Sequence, residues 1–145
     1  QLLPKVPAEC VHNRYNFNLR IDFDALGMGG DVTARVRFRD AVCKAIAAEG
    51  VAVSVWQRFI LPEMTVFRAK NAYGGGYPWS IPGADDGVTY NPEDYPNALR
   101  YSKCHMSIVQ TLRAPNGLDI AQKVVEAVRK VFANIGRIEP DRILG

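Results

Sequence analysis

The chain has 145 residues, 48% of them apolar and 23% charged, with a formal net charge of +3. A single domain able to bury a real core fits that length, and the balance is that of an ordinary globular protein. The absence of any Lys/Arg run or stripe argues against nucleic acid, and no stretch approaches the roughly 18 apolar residues of a membrane span.

Residues 1–10 carry Pro4 and Pro7 and read as a connector; residues 11–136 read as the domain and 137–145 as a tail. In NRYNFNLRIDF, Tyr15, Phe17, Leu19, Ile21 and Phe23 alternate with Asn16, Asn18, Arg20 and Asp22. Period-two alternation predicts a strand with one buried face, ended by the glycines of LGMGGD. Over residues 32–49 the period becomes helical. Ala34, Phe38, Ala41, Val42, Ala45 and Ile46 share a face, Asp31 is placed to cap the amino end, and Gly50 follows the carboxyl end. The β-branched run VAVSV at 51–55 predicts a second strand.

Residues 56–105 form a long excursion with no strong periodicity. It holds nine of the fourteen aromatic residues and five of the nine prolines. Disordered segments are poor in aromatics, so an ordered arm is expected, its rings anchored on a surface of this domain, a neighbour or a ligand. LPEMTVFRAKNA within it is a short helix candidate. MSIVQTL at 106–112 predicts a third strand. A second helix then opens at APNGLD, with Asn116 as cap and Asp119 three residues on. Its apolar stripe is Ala121, Val124, Val125, Val128, Val131, Phe132 and Ile135; Arg129 and Lys130 suit its carboxyl end, and Gly136 stops it. The expected architecture is α+β: a small sheet in two layers with both amphipathic helices on one face, plus the long ordered aromatic loop.

Several constellations could carry chemistry. Gly74, Gly75 and Gly76 could cradle a phosphate, but they run into Tyr77, Pro78 and Trp79 instead of a GK[ST] helix start, so a tight bend is the favoured reading. The pairs Asp85/Asp86 and Glu93/Asp94 could serve glycoside hydrolysis, against a favoured reading as solvated turns. Cys104 and His105 are adjacent, and in a strand they would point to opposite faces, which disfavours a nucleophile–base pair; His105 alone fits a pocket lining better. Trp56, Gln57 and Arg58 stand where a strand becomes loop, a common place for ligand contacts; Arg58 either clamps an anion or packs over the tryptophan. Lys70 and Lys103 as Schiff-base lysines would need desolvation, and solvated lysines are the favoured reading. Cys10, Cys43 and Cys104 are odd in number and scattered without a CxxC pair. Neither a disulfide framework nor a metal site is expected, and a reduced, cytoplasmic compartment fits. The start at Gln1, without methionine, is expected to mark a processed or truncated piece of something longer.

The order NRYNFNLRIDF, VRFRDAVCKAIAAEGVAVSVWQRFILPEM, GGGYPW and YPNALRYSKCHMSIVQTLRAPNGLDIAQKVVEAVRKV resembles the carboxyl-terminal small domain of the DegT/StrS-type sugar aminotransferases, closest to the branch that aminates keto-inositols. The resemblance covers residues 11–136 and rests on the sequence of features rather than on one motif: Arg37 and Phe38, Gly50 and Val51, Tyr77 and Pro78, Tyr95 and Pro96, and Asp119. It implies a pyridoxal-phosphate enzyme whose cofactor lysine belongs to a larger amino-terminal domain. That domain has no counterpart here, so the chain reads as a fragment of a longer enzyme or an independently encoded remnant, and no catalytic residue and no cofactor are expected for it alone. The implied partners are the large domain, a second copy and a sugar-like or keto-inositol molecule. By the resemblance Trp56, Gln57, Arg58, Tyr77, Trp79 and His105 would lie nearest the substrate. The alternatives are a non-enzymatic module that binds a small molecule or a protein, and a small enzyme of unrelated chemistry built on His105, Arg58 or the carboxylate pairs.

Overall fold

The computed structural model describes residues 6–11, 16–84 and 87–145. Tyr15, His12, Asp85 and Asp86, and the first half of the expected connector, lie outside the described residues. Among the described residues there are five α-helices and a three-stranded antiparallel sheet, so the fold class is α+β with a small sheet. The chain divides into two compact units, residues 1–56 with 103–145, and Gln57–Ser102.

The first unit holds the sheet. Strands β1 (Phe17–Arg20), β2 (Val53–Ser54) and β3 (His105–Ile108) lie in the order β1-β3-β2. Both pairings are antiparallel, with Phe17 and Val53 opposite Ile108, and Asn18 and Ser54 opposite Ser107. Residues directly opposite point to the same side. Phe17, Ile108, Val53, Leu19 and Met106 therefore share one face, and Asn18, Ser107, Ser54, Arg20 and His105 share the other. The apolar face joins the core: Met106 and Ile108 cluster with Ile21 and Phe23, with Val42 and Ile46 of α1 (Val32–Ala48), and with Val124, Ala127 and Val131 of α4 (Leu118–Ala133). Each fully buried Ile, Val or Met side chain contributes about 1.5–3 kcal/mol.

The signals that bound α1 are local. Asp31 accepts from the Thr33 and Ala34 amides at 2.8 and 3.2 Å. At the other end Gly50 takes φ +86°, its N–H donating to Ala47 O and that of Val51 to Ile46 O, a Schellman closure with Val51 buried behind it. Arg35 ties down the preceding loop. It donates to Gly29 O and Met28 O, pairs with Asp24 at 3.1 Å and lies 5.5 Å from the Phe23 ring centroid.

Four local expectations need correction. VAVSV pairs only through Val53 and Ser54; Val51 N donates to Ile46 O and Ala52 N to Thr111 Oγ1. MSIVQTL stops pairing at Ile108, and a turn from Gln110 O to Arg113 N follows. Gly117, not Asn116, is the cap of α4; the Asn116 carboxamide instead donates to Thr111 O, which puts Asp119 at the second helical position, too early for a capping box. The helix ends at Asn134, before Gly136, which sits inside a 3-10 turn, Ile135–Arg137. Beyond it α5 (Pro140–Leu144) packs on α1, and Arg37 meets Asp141 at 2.6 Å.

The second unit is built on rings and turns. A 3-10 turn, Leu61–Glu63, is held by the Glu63 carboxylate accepting from Ile60 N at 2.7 Å, and α2 (Thr65–Arg68) follows. Phe67, Trp79 and Tyr90 form a three-ring cluster with centroids 5.3–6.0 Å apart, and Trp79 Nε1 donates to Tyr90 Oη at 2.9 Å. Helix α3 (Pro96–Cys104) begins here and ends in the first unit, running directly into β3.

Candidate functional site

The polar residues of β1, β2 and β3 line up across the sheet. Ser107 Oγ donates to Asn18 Oδ1 at 2.5 Å, and Ser54 is opposite Ser107 on the other side. His105, opposite Arg20, is 4% exposed, and Ser107 is also buried. Cys104 belongs to the apolar core, while His105 lies in the polar row.

Just beyond Phe17, Ile108 and Val53, where pairing has ended, Asn16, Val109 and Ala52 come together. Here the first unit opens into a groove of about 470 Å³, lined by these residues with Val53, Ser54, Trp56, Gln110 and Arg113. Trp56 stands two residues past Ser54 and is 77% exposed. Of the six residues nominated for substrate contact, Trp56 lines this groove and His105 lies buried in the polar row of the same unit. Gln57, Arg58, Tyr77 and Trp79 belong to the second unit. Gln57 and Arg58 are exposed there, Tyr77 is half-exposed with its ring 5.9 Å from that of Tyr73, and Trp79 is engaged by Phe67 and Tyr90.

The other constellations resolve into structure. Gly74, Gly75 and Gly76 all take positive φ, which favours glycine, and the loop uses its own amides: Gly76 N donates to Asn71 Oδ1 and Tyr77 N to Gly74 O. That is a bend, with two amides turned inward. Asp94 accepts from Thr89 Oγ1 in an Asn91-capped turn that leaves Glu93 exposed. Lys70 takes φ +47° in the turn after α2. Among the described residues no group of three His, Cys, Asp or Glu side chains could hold a metal ion, and no helix is long and apolar enough to cross a membrane.

Sequence reasoning missed two features. Arg39 is 1% exposed, the largest fully buried side chain among the described residues. Its Nε and Nη2 donate to Asp40 Oδ1 at 3.0 and 2.8 Å, and its Nη1 to Lys103 O at 3.3 Å, placing a cation at the carboxyl end of α3. Asn16, Gln110 and Arg113 were missed as groove residues, since only strand register brings them together. Compared with known proteins, the chain matches no protein-family model and no curated protein.

Proposed function

We propose that this chain is the small carboxyl-terminal domain of a DegT/StrS-type aminotransferase acting on a sugar or keto-inositol, and that it shapes the substrate pocket instead of performing the chemistry. The observation that carries the reading is the segment between β2 and β3. It packs its own aromatic cluster from Phe67, Trp79 and Tyr90, yet leaves Phe59, Tyr73 and Tyr77 at 49%, 83% and 49% exposure. Rings held on an ordered segment but left open to solvent suit a wall that a further domain covers. The order of motifs along residues 11–136 and the small antiparallel sheet with α1 and α4 packed into one core support it further. In this reading both helices cover one sheet face as the second layer, and the aromatic arm walls the cleft.

Among the described residues no lysine lines the groove, so those residues do not fit covalently held pyridoxal phosphate. The cofactor, which supplies the electron sink for amination when bound, is assigned to the lysine-bearing large domain. The protein is proposed to act in the cytoplasm and to pair with a second copy, as such enzymes do. The test is an amination assay with pyridoxal phosphate, an amino donor and a keto-inositol. The chain alone gives no turnover above the protein-free control, and the chain joined to a lysine-bearing large domain does. Turnover by the chain alone, or none by a joined protein that folds, overturns the proposal.

A further inference from the structure

The turn that leads into α4 carries chemistry of its own. Asn116–Gly117 is the sequence's one Asn-Gly step; the other asparagines precede Arg, Phe, Leu, Ala, Pro or Ile. Asparagine before glycine is the least hindered case for attack of the following backbone amide on the side-chain carbonyl carbon, because glycine has no Cβ to obstruct ring closure. Both residues are exposed. Gly117 is the N-cap of α4, so its N–H stands ahead of the helix ladder, and among the described residues it donates no hydrogen bond. The Asn116 carboxamide is held by a single exposed bond, Nδ2 donating to Thr111 O at 3.1 Å. The atom engaged there is the leaving nitrogen, not the Cγ that is attacked, and exposed bonds of loops open locally at little cost. Glycine is also what the packing favours at 117: a Cβ there would stand 3.0 Å from Asp119 Oδ1. The residue that fits beside Asp119 thereby leaves Asn116 open to attack.

We propose that Asn116 is a site of spontaneous deamidation in the folded chain. The Gly117 nitrogen gives its proton to solvent hydroxide and forms a bond to Asn116 Cγ. The Cγ–Nδ2 bond breaks, and ammonia departs with a proton from water, leaving a succinimide ring. Water then adds to one of the two ring carbonyls. Breaking the bond from the ring nitrogen to Cγ gives aspartate; breaking its bond to the backbone carbonyl carbon gives isoaspartate, with an extra methylene in the main chain. Either product adds one negative charge and replaces the donor to Thr111 O by a carboxylate. Thr111 is also the residue whose Oγ1 accepts from Ala52 N at 3.2 Å, next to β2. Conversion therefore loosens the turn between β3 and α4 at the point where it holds Ala52. The inference lies outside the aminotransferase reading and does not depend on it.

The test is to keep the whole chain folded in mildly alkaline buffer, withdraw samples over weeks, and follow the tryptic peptide Ala114–Lys123 by mass spectrometry. Electron-transfer fragmentation separates aspartate from isoaspartate, and digestion in heavy-oxygen water marks any conversion that happens after sampling. Asn116 is expected to convert about tenfold faster than any other asparagine, a barrier lower by about 1.4 kcal/mol. Gly117→Ala should slow it about tenfold, and Asn116→Gln, whose ring closure is slower, should abolish it on that timescale. In aged protein, amide exchange at Ala52 should rise several-fold, and Asn116→Asp should reproduce the rise. A native circular dichroism spectrum confirms that each sample is folded. Conversion at Asn116 no faster than elsewhere, conversion only in urea-unfolded protein or only with the heavy-oxygen mark, or a rate unchanged by Gly117→Ala overturns the proposal. Unchanged Ala52 exchange in fully converted protein overturns the loosening of the turn.

Discussion

Replacing Arg39 by methionine removes the most deeply buried charge in the described structure. The guanidinium gives two bonds to Asp40 Oδ1, at 3.0 and 2.8 Å, and one to Lys103 O at 3.3 Å. Methionine keeps much of the stem's packing, so the loss is chiefly electrostatic. Breaking a buried ion pair by deleting one partner costs about 3–5 kcal/mol. The Asp40 side chain retains 22% exposure, which places the cost toward the lower end of that range. The long carbonyl bond adds about 0.5–1.5 kcal/mol. A loss of about 3.5–4.5 kcal/mol is a large fraction of the roughly 5–15 kcal/mol that holds a domain folded. In urea, with a slope of about 1–3 kcal/mol/M, the midpoint should fall by about 2 M at unchanged slope. Asp40→Asn in the Arg39→Met background should cost much less than in the wild type, because the two side chains act as one unit. A midpoint within the error of wild type for Arg39→Met, or strict additivity of the pair, refutes the reasoning.

Other substitutions probe the rest of the account. Gly50→Ala meets no atom within 4 Å but must adopt φ +86°, and thermal melts should show a loss of about 1–2 kcal/mol. Asp31→Ala removes both amide bonds at the start of α1, with an expected cost of about 1 kcal/mol by the same melts. Trp79→Phe keeps ring packing but loses the Tyr90 bond, whereas Trp79→Ala empties the three-ring cluster. Amide exchange across residues 57–102 should rise modestly in the first and by orders of magnitude in the second. Equal exchange in both would show that the cluster does not order the segment. Ile46→Ala, at a site with no exposure, should cost about 2–5 kcal/mol in urea unfolding.

What could be read in advance followed how local each determinant is. Asp31 and Gly50 bound α1 through bonds spanning two to five residues, so sequence alone locates that helix. Asn116 carried an equally good capping signal, but its carboxamide closes the turn back to Thr111, and the helix starts one residue later. The β-branched run at 51–55 keeps only Val53 and Ser54 paired, since Val51 N turns back to Ile46 O and Ala52 N donates to Thr111 Oγ1, 59 positions away. Helix α3 was hidden inside the long excursion of residues 56–105, although proline at the first helical position is itself a start signal. Arg39 lies on a helix whose other charges suggest a wet face, and its burial depends on a carbonyl 64 positions away. At the groove, Trp56 was visible as a strand-end aromatic. Asn16, Gln110 and Arg113 acquire meaning only once β1 and β2 are both registered on β3.

The proposal that this chain is the small domain of a pyridoxal-phosphate enzyme is tested most directly by cofactor content. Joined to a lysine-bearing large domain of such an enzyme, the protein should retain about one pyridoxal phosphate per chain through gel filtration, while the 145-residue chain alone should retain none. A joined protein that folds but holds no cofactor, or a 145-residue chain that holds it unaided, would contradict the proposal.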